Sequence, residues 1–209
     1  MGNHQEALEY YQWAMEAMKI MNVSSAQIAT VIDNMASCHT KLKKFDEAEK
    51  LYQDGLQVKR AMLEQEKNQK ERRSIRIEIA NSLKCLGIIF YQRRQLKIAI
   101  KILNEALEEK RLASVGGRHI EDFMDAEIYF RLGTVYYSER RYTEAKENYE
   151  KCLKIKRGVE GDCSEVLDIL NILARIYRAQ GNKDLANAIK KEINRLAPDL
   201  STDDPPEMA

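Results

Sequence analysis

The chain has 209 residues, of which 32% are charged and 44% hydrophobic, and its formal net charge is +1. Such a balance produces no global field toward nucleic acid or an acidic membrane surface, so neither is expected as a partner. The nine glycines and three prolines are few for a sheet protein and favour long helices. No signal-peptide core and no apolar run of about 18 residues is present, so we expect neither secretion nor membrane insertion.

Five segments along the chain share one helical pattern. Each has an alanine, followed four positions later by a large residue in the first four segments and by Lys190 in the last. The alanines are Ala7, Ala48, Ala99, Ala145 and Ala186, and the segments read NHQEALEYYQWAM, KFDEAEKLYQDGL, QLKIAIKILNEAL, RYTEAKENYEKCL and NKDLANAIKKEIN. The alanines recur every 41 to 51 residues, and a period of this length predicts a solenoid.

A second helical pattern precedes each of the last four segments. It consists of a large apolar residue, a small one, and an aromatic residue or histidine three positions further on, which is a helical spacing. The members are Met35-Ala36-His39, Leu86-Gly87-Phe90, Leu132-Gly133-Tyr136 and Leu173-Ala174-Tyr177. The small residue lets two helices cross closely, and the ring fills the space beside the crossing.

The pairing of these two helices resembles the tetratricopeptide repeat. The stretch GDCSEVLDILNILARIY is similar to the kinesin-light-chain type of that family, with Cys163-Ser164 where the family has His-Pro and Ile172 where it has a second Asn. The resemblance implies an all-α, right-handed superhelical solenoid of antiparallel helix pairs. It also implies a concave groove, lined by the first helix of each repeat, that binds proteins.

We expect one helical repeat domain over residues 1–198 and an acidic, disordered tail. The first half repeat reads as the second helix of a pair whose first helix is absent, as in a fragment of a longer array or an edge that a partner covers. Gly116-Gly117 is a predicted helix stop and hinge. The predicted boundaries are 1–22 for the half repeat, 23–66, 67–115 and 116–162 for three repeats, 163–197 for the last repeat with its C-terminal cap, and 199–209 for the tail.

The segment 64–76 is a basic departure from the repeat. It is either an electrostatic contact for an acidic partner or a solvated helical extension in which glutamates alternate with basic residues. The basic residues are Lys67, Lys70, Arg72, Arg73 and Arg76.

The residues that could take part in catalysis or metal binding are scattered along the chain. The three histidines, His4, His39 and His119, lie in separate repeats, and His39 falls at an aromatic packing position. The four cysteines form no C-x-x-C pair, which predicts reduced thiols in a cytoplasmic protein; they are Cys38, Cys85, Cys152 and Cys163. No hydrolase, metal, phosphate or dinucleotide motif is present. We therefore expect no catalysis, no cofactor and no metal.

The candidate binding surface is a stripe on the first helix of each repeat. Its members lie 5 and 2 positions before, and 2, 5 and 6 positions after, the large apolar residue, opposite the packing face. The candidate groove residues are Asp33, Ser37, Lys41, Asn81, Lys84, Ile88, Tyr91, Glu127, Phe130, Thr134, Tyr137, Asp168, Asn171, Arg175 and Arg178.

The anchor of this stripe is expected in the last two repeats. The resemblance implies that Asn171 holds a bound peptide's backbone through its amide, although a tolerated polar residue on a solvent-facing side is an equal alternative. Arg175 and Arg178 are one turn apart and suit a carboxylate, hence an acidic partner segment. Lys146 and Lys151 are expected on the convex side, away from the partner.

Three functions follow from these features. The first is an adaptor or scaffold that binds a peptide segment or helix of a partner protein. The second is a structural subunit that stacks in a cytoskeletal, ciliary or motor assembly, with association through the exposed half repeat. A third, weaker alternative is a peptide-sensing regulator. The expected setting is cytoplasmic, with a cytoskeletal or ciliary association for the second function.

Overall fold

The structure is a computed structural model that describes residues 2–21, 23–114, 121–160 and 164–197. Within these ranges it contains nine α-helices and no strand, which confirms the predicted all-α fold. No helix in them is long and apolar enough to cross a membrane. The helices are α1 (Gly2–Met21), α2 (Ser25–Lys41), α3 (Phe45–Gln65), α4 (Gln69–Gln92), α5 (Leu96–Leu112), α6 (Phe123–Ser138), α7 (Tyr142–Glu160), α8 (Ser164–Ala179) and α9 (Lys183–Leu196).

The chain divides into two compact units, Met1–Ile120 and Glu121–Ala209. In the first unit α1 packs on α2, and α2/α3 and α4/α5 form helix pairs, with α3 against α4. The second unit contains the pairs α6/α7 and α8/α9, with α7 against α8. The predicted hinge at Gly116-Gly117, His119, Cys163 and the predicted tail at 199–209 all lie outside the described residues.

A three-residue turn joins the two helices of each pair. Its middle residue has a positive φ, which reverses the chain direction at the helix end. These residues are Lys43 (59°), Arg94 (61°), Arg140 (58°) and Gly181 (79°). The next backbone N–H donates to the carbonyl of the aromatic or histidine position of the first helix, as from Lys44 to His39 at 2.9 Å and from Asn182 to Tyr177 at 2.8 Å. The sequence pattern thus includes the residue whose carbonyl closes the turn.

Two first helices begin at capping boxes, in which a side chain satisfies N–H groups that lack helical partners. Ser24 accepts from the backbone of Gln27, whose side chain accepts from the backbone of Ser24. Asp122 and Asp125 form the same reciprocal pair at α6. This pairing explains how the fully buried Asp125 is accommodated: its Oδ2 accepts from the Asp122 N–H at 2.9 Å.

The predicted close crossings are present at the two glycines of the first helices. A Cβ added to Gly87 would lie 2.7 Å from Cγ of Leu103, and one added to Gly133 would lie 3.0 Å from three ring atoms of Tyr149. The side chain that covers each glycine therefore comes from the large position of the second helix. The ring that the sequence pattern placed beside the crossing is buried in Phe90 and half-buried in Tyr136.

Ion pairs join the second helices of successive repeats within each unit. Arg60 on α3 binds Glu105 on α5 at 2.6 Å, and Arg157 on α7 binds Glu192 on α9 at 2.8 Å. Such exposed or half-exposed pairs contribute at most about 1 kcal/mol each. They connect second helices by their side chains, while successive repeats pack on each other through α3 with α4 and α7 with α8.

Candidate functional site

None of the fifteen candidate groove residues is buried, so all are accessible to some degree. The exposed members are Ser37, Lys41, Asp168, Asn171, Arg175 and Arg178. The half-buried members are Asp33, Asn81, Lys84, Ile88, Tyr91, Glu127, Phe130, Thr134 and Tyr137. The stripe is accessible in both units, and its role in partner binding stays a prediction.

Asp33 is part of an internal ion pair in the first unit. Its Oδ2 accepts from Nζ of Lys59, which is 1% exposed, and from Oγ of Ser82 at 2.9 Å. Lys59 also donates to Ser82 Oγ at 2.6 Å. The Asp33 side chain is itself only 21% exposed. Because a buried cation needs a counter-charge, Asp33 stabilises the fold in addition to any contact that it makes with a partner.

This cluster also influences a neighbouring carboxyl group on α4. Burial raises the pKa of Glu78, the Lys59 ammonium partly opposes that shift, and the Asp33 carboxylate adds to it. The shift in the pKa of Glu78 therefore follows from several charged groups that lie close together, partly shielded from water, between α2, α3 and α4.

In the second unit, the stripe residues of α6 are held by the second helix of the same repeat. Thr134 Oγ1 lies 3.0 Å from the Tyr149 hydroxyl, and the Phe130 ring meets the Tyr149 ring edge-on at 5.6 Å. Tyr137 makes a similar contact with Tyr142 at 5.6 Å. These contacts fix the orientation of the aromatic side chains, so a partner would meet a preformed surface.

A pocket of about 250 Å³ lies between α6, α7 and α8. Three candidate groove residues, Glu127, Phe130 and Asp168, line it. Its other lining residues, which no sequence pattern marks as a site, are Phe123, Arg131, Lys156, Glu165 and Ile169. Three of the eight lining residues are apolar and five are charged, and a concave pocket that combines apolar and charged groups is a candidate recognition site.

Lys156 is the buried charged residue of the pocket wall. Its side chain is 4% exposed, it is ion-paired with Glu165 of α8, and its Nζ lies 4.2 Å from the centre of the Phe123 ring. The contact with a ring face is favourable for an ammonium group. Lys156 is therefore held by α6 and α8 together, which defines the shape of the pocket.

Sequence reasoning missed a row of buried lysines to which Lys156 belongs. Lys59, Lys110 and Lys156 are 1%, 5% and 4% exposed. Each lies eleven residues after a repeat alanine and directly before an arginine, Arg60, Arg111 or Arg157. The recurring Lys-Arg pair could have indicated these buried positions. Lysine is rarely buried, however, so the pair reads as an exposed basic pair in the sequence.

The basic segment is largely committed to the fold. Arg72 donates to the backbone carbonyls of Leu63 and Glu66, the latter at 2.7 Å, and so caps the end of α3. Arg76 is ion-paired with Glu109 of α5 at 2.6 Å. Arg72 and Arg76 therefore have partners within the protein, which neither interpretation of the sequence included, while Lys67 and Lys70 are exposed. Whether the segment contacts an acidic partner stays a prediction.

The described thiols and possible metal ligands offer little chemistry. Among residues 2–21, 23–114, 121–160 and 164–197, no three His, Cys, Asp or Glu side chains are grouped to hold a metal ion. Burial raises the pKa of the Cys152 thiol to about 12, which keeps it protonated and unreactive. Burial likewise raises the pKa of Cys38.

Comparison with solved structures finds the same fold in proteins of low sequence identity. BtubC (BKLC) from P. vanneervenii is 20% identical with a TM-score of 0.76, covering 100% of this chain and 79% of that one. YrrB, named as a TPR protein with an unusual peptide-binding site, is 18% identical with a TM-score of 0.59, covering 95% and 80%. Repeats from Podosopora anserina, named for a kinesin light chain, are 16% identical with a TM-score of 0.65, covering 96% and 90%.

The sequence itself gives a further assignment. No curated protein matches the chain. The family model of the tetratricopeptide repeat matches residues 1–61 and 125–196. The intervening pair α4/α5 lies outside this match but has the same three-residue turn as the other pairs and the same glycine crossing as α6/α7. The chain therefore belongs to the tetratricopeptide repeat family.

Proposed function

We propose that this protein is a non-catalytic adaptor or scaffold that binds a peptide segment or helix of a partner protein along the stripe of its first helices. The observation that carries the proposal is the surface of the second unit. There, the exposed side chains of Asn171, Arg175 and Arg178 follow one face of α8, and the α6–α8 pocket adjoins the start of that face. The structural similarity to YrrB, which is named for its peptide-binding site, supports the same function.

The composition of this surface suits peptide binding in energetic terms. Binding energy concentrates in aromatic and arginine side chains at protein interfaces. Phe130 and Tyr137 offer half-buried rings in fixed orientations. The two arginines offer donors for a carboxylate, and the amide of Asn171 can both donate to and accept from a peptide backbone.

The test uses a ligand selected from a random-peptide display library against the full chain. We expect Asn171→Ala combined with Arg178→Ala to weaken this ligand by about 2–4 kcal/mol, or roughly 30- to 700-fold, because charge-assisted and backbone hydrogen bonds are lost. Isothermal titration gives the dissociation constants. Thermal melts of both proteins establish whether the variant remains folded.

The control must lie outside the stripe. Lys146 and Lys151, the expected convex residues, are unsuitable because their ammonium groups lie 5.8 Å and 5.2 Å from the rings of Tyr177 and Tyr129. Lys101 and Lys154 are exposed residues of second helices, and replacing both with alanine should leave the affinity unchanged. An affinity that survives the stripe variant but falls in this control would refute the groove proposal.

A second candidate function, association through α1, is favoured by its exposed apolar side chains. Trp13 is 62% exposed and contacts Tyr10 edge-on at 5.5 Å, and Ile20 is 86% exposed. At the position of Trp13, the other second helices carry a charged residue, and two of these charges form the ion pairs between successive repeats. The four charged residues are Asp54, Glu105, Lys151 and Glu192.

Sedimentation analysis over a range of concentrations tests this second function. If α1 mediates assembly, wild-type protein should associate with rising concentration and Trp13→Glu should remain monomeric, because a carboxylate would be buried at the contact. A wild-type protein that stays monomeric would refute self-assembly through α1.

The finer assignments are also part of the proposal. The kinesin-light-chain-like subtype is supported by GDCSEVLDILNILARIY and by two structural neighbours at 16% identity. A cytoplasmic or cytoskeletal setting stays a prediction, which localisation of the tagged full-length protein would test.

A further inference from the structure

The α6–α8 pocket differs from the equivalent place in the first unit because two residues are exchanged. Counted from the large apolar residue of each first helix, Asp33 and Phe130 occupy one repeat position, and Ser82 and Ile169 occupy another. In the first unit the two polar side chains bind Lys59. In the second unit both positions are apolar, and both residues line the pocket.

Because of these two substitutions, Lys156, which occupies the repeat position of Lys59, has different partners. Lys156 lies against Phe123 and binds Glu165 instead of a carboxylate at the position of Phe130. The space that Asp33 and its hydrogen bonds occupy in the first unit is therefore lined by a ring and an aliphatic side chain in the second. An apolar lining favours an apolar ligand group, because transfer of such a group out of water is favourable.

The volume of the pocket limits the size of that group. An apolar cavity of about 150 Å³ holds a benzene molecule, and this pocket measures about 250 Å³. A leucine, methionine or phenylalanine side chain therefore fits, with room for part of a neighbouring residue.

The charges around the pocket determine which kind of residue is favoured next to the apolar group of the ligand. Three carboxylates, Glu127, Glu165 and Asp168, and two cations, Arg131 and Lys156, line it. Lys156 is buried and ion-paired, and the Arg131 guanidinium lies 5.6 Å from the Phe130 ring centre. Asp168 is exposed. The excess of carboxylates favours a cationic neighbour and disfavours a phosphate or carboxylate.

We infer that the α6–α8 pocket binds one large apolar side chain of an extended peptide, and that the residue next to it is lysine or arginine, facing Asp168 and Glu127. This inference rests on the proposed peptide-binding function and names the chemistry of the partner at one position. Arg175 and Arg178 lie further along α8 and would contact a different part of the same segment.

The experiment uses short synthetic peptides and the full chain labelled at isoleucine methyl groups. The probe carries one phenylalanine followed by arginine in a glycine-serine background, and matched peptides replace phenylalanine with alanine or arginine with glutamate. Ile169 reports the pocket, Ile172 reports its surroundings on α8, and Ile88 reports the stripe of the first unit. We expect saturable shifts of Ile169 at millimolar peptide or below, loss of these shifts with alanine, and at least about tenfold weaker binding with glutamate.

A charge reversal on α8 tests the electrostatic part. Asp168→Lys should invert the preference, so that the glutamate peptide binds better than the arginine peptide. Asp184→Lys is the matched control, because Asp184 is an exposed carboxylate of α9 and does not line the pocket; it should retain the wild-type preference.

Three results would overturn the inference. Equal or better binding of the glutamate peptide to wild-type protein would refute the basic neighbour. Shifts at Ile172 or Ile88 without any at Ile169 would refute the pocket while leaving the groove proposal standing. A display-selected ligand that binds independently of both the pocket and the stripe variants would refute the proposed function as well.

Discussion

Gly133 and Gly158 allow a sharp test of how the helices pack in the second unit. Both are helical glycines, on α6 and α7 respectively. A Cβ added to Gly133 would meet three ring atoms of Tyr149 at 3.0 Å, whereas one added to Gly158 would meet nothing within 4 Å. Alanine is favoured over glycine by helix propensity at both positions, less so at Gly158 in the last turn of α7. Only at Gly133 does the added methyl group meet a packed ring.

Whether each alanine stabilises or destabilises the protein depends on the balance between helix propensity and packing. Alanine is preferred over glycine in a helix by about 1 kcal/mol. Carbon atoms are in optimal contact at about 3.5–4.0 Å, so the Tyr149 ring would have to retreat by roughly 0.5 Å. That ring is 2% exposed, and its hydroxyl contacts Thr134, so it has little room to move. Overpacking of this kind costs about 1–3 kcal/mol.

We therefore expect Gly158→Ala to stabilise the protein by about 0.5–1 kcal/mol and Gly133→Ala to lower its stability by up to about 2 kcal/mol. The difference between the variants comes mainly from the packing cost at Gly133, which is about 1–3 kcal/mol. Gly133→Leu should be worse than Gly133→Ala, because its larger side chain enters the same contact.

The assay is urea denaturation of the full chain, in which the midpoint and slope are compared between variants. Both substitutions lie in the same compact unit, so the transition of that unit reports both. If Gly133→Ala were stabilising to the same extent as Gly158→Ala, Tyr149 would not limit the crossing. A Gly133→Leu protein that melts within about a degree of wild type would refute the crossing itself.

Three further predictions concern individual side chains. Burial lowers the pKa of His39 below its usual 6.5, so the native state favours neutral histidine. The stability of the wild-type protein should therefore fall relative to that of His39→Phe as the pH drops below about 6.5, and parallel curves of stability against pH would refute this. Asp33→Ala should lower the free energy of unfolding by roughly 3–5 kcal/mol because Lys59 would remain buried without its carboxylate. Adding Lys59→Met should partly restore the stability, as denaturation of the single and double variants would measure. An Asp33→Ala protein as stable as wild type would contradict the structural role of Asp33. Cys152 should resist alkylation until the second unit unfolds, as peptide mass spectrometry can follow, and labelling of native protein would contradict its burial.

Local patterns were sufficient to predict the helices and their pairing. The spacing of Leu132, Gly133 and Tyr136 lies within one helical turn, so it is readable from neighbouring residues alone. The same pattern correctly placed the glycine at a close crossing. The turns were harder to anticipate, because Lys43, Arg94 and Arg140 adopt the left-handed conformation that glycine would signal in a sequence.

The candidate site depended on contacts that no local pattern shows. The stripe positions follow from helical period, and all are accessible in the structure. Whether such a position faces a partner or an internal charge was decided by residues far away in sequence: Asp33 meets Lys59 from the next helix, while Phe130 at the equivalent position adjoins a pocket. Helix periodicity determines which side of a helix a residue occupies, but only packing of separate helices brings a buried lysine its counter-charge or leaves an apolar space beside it.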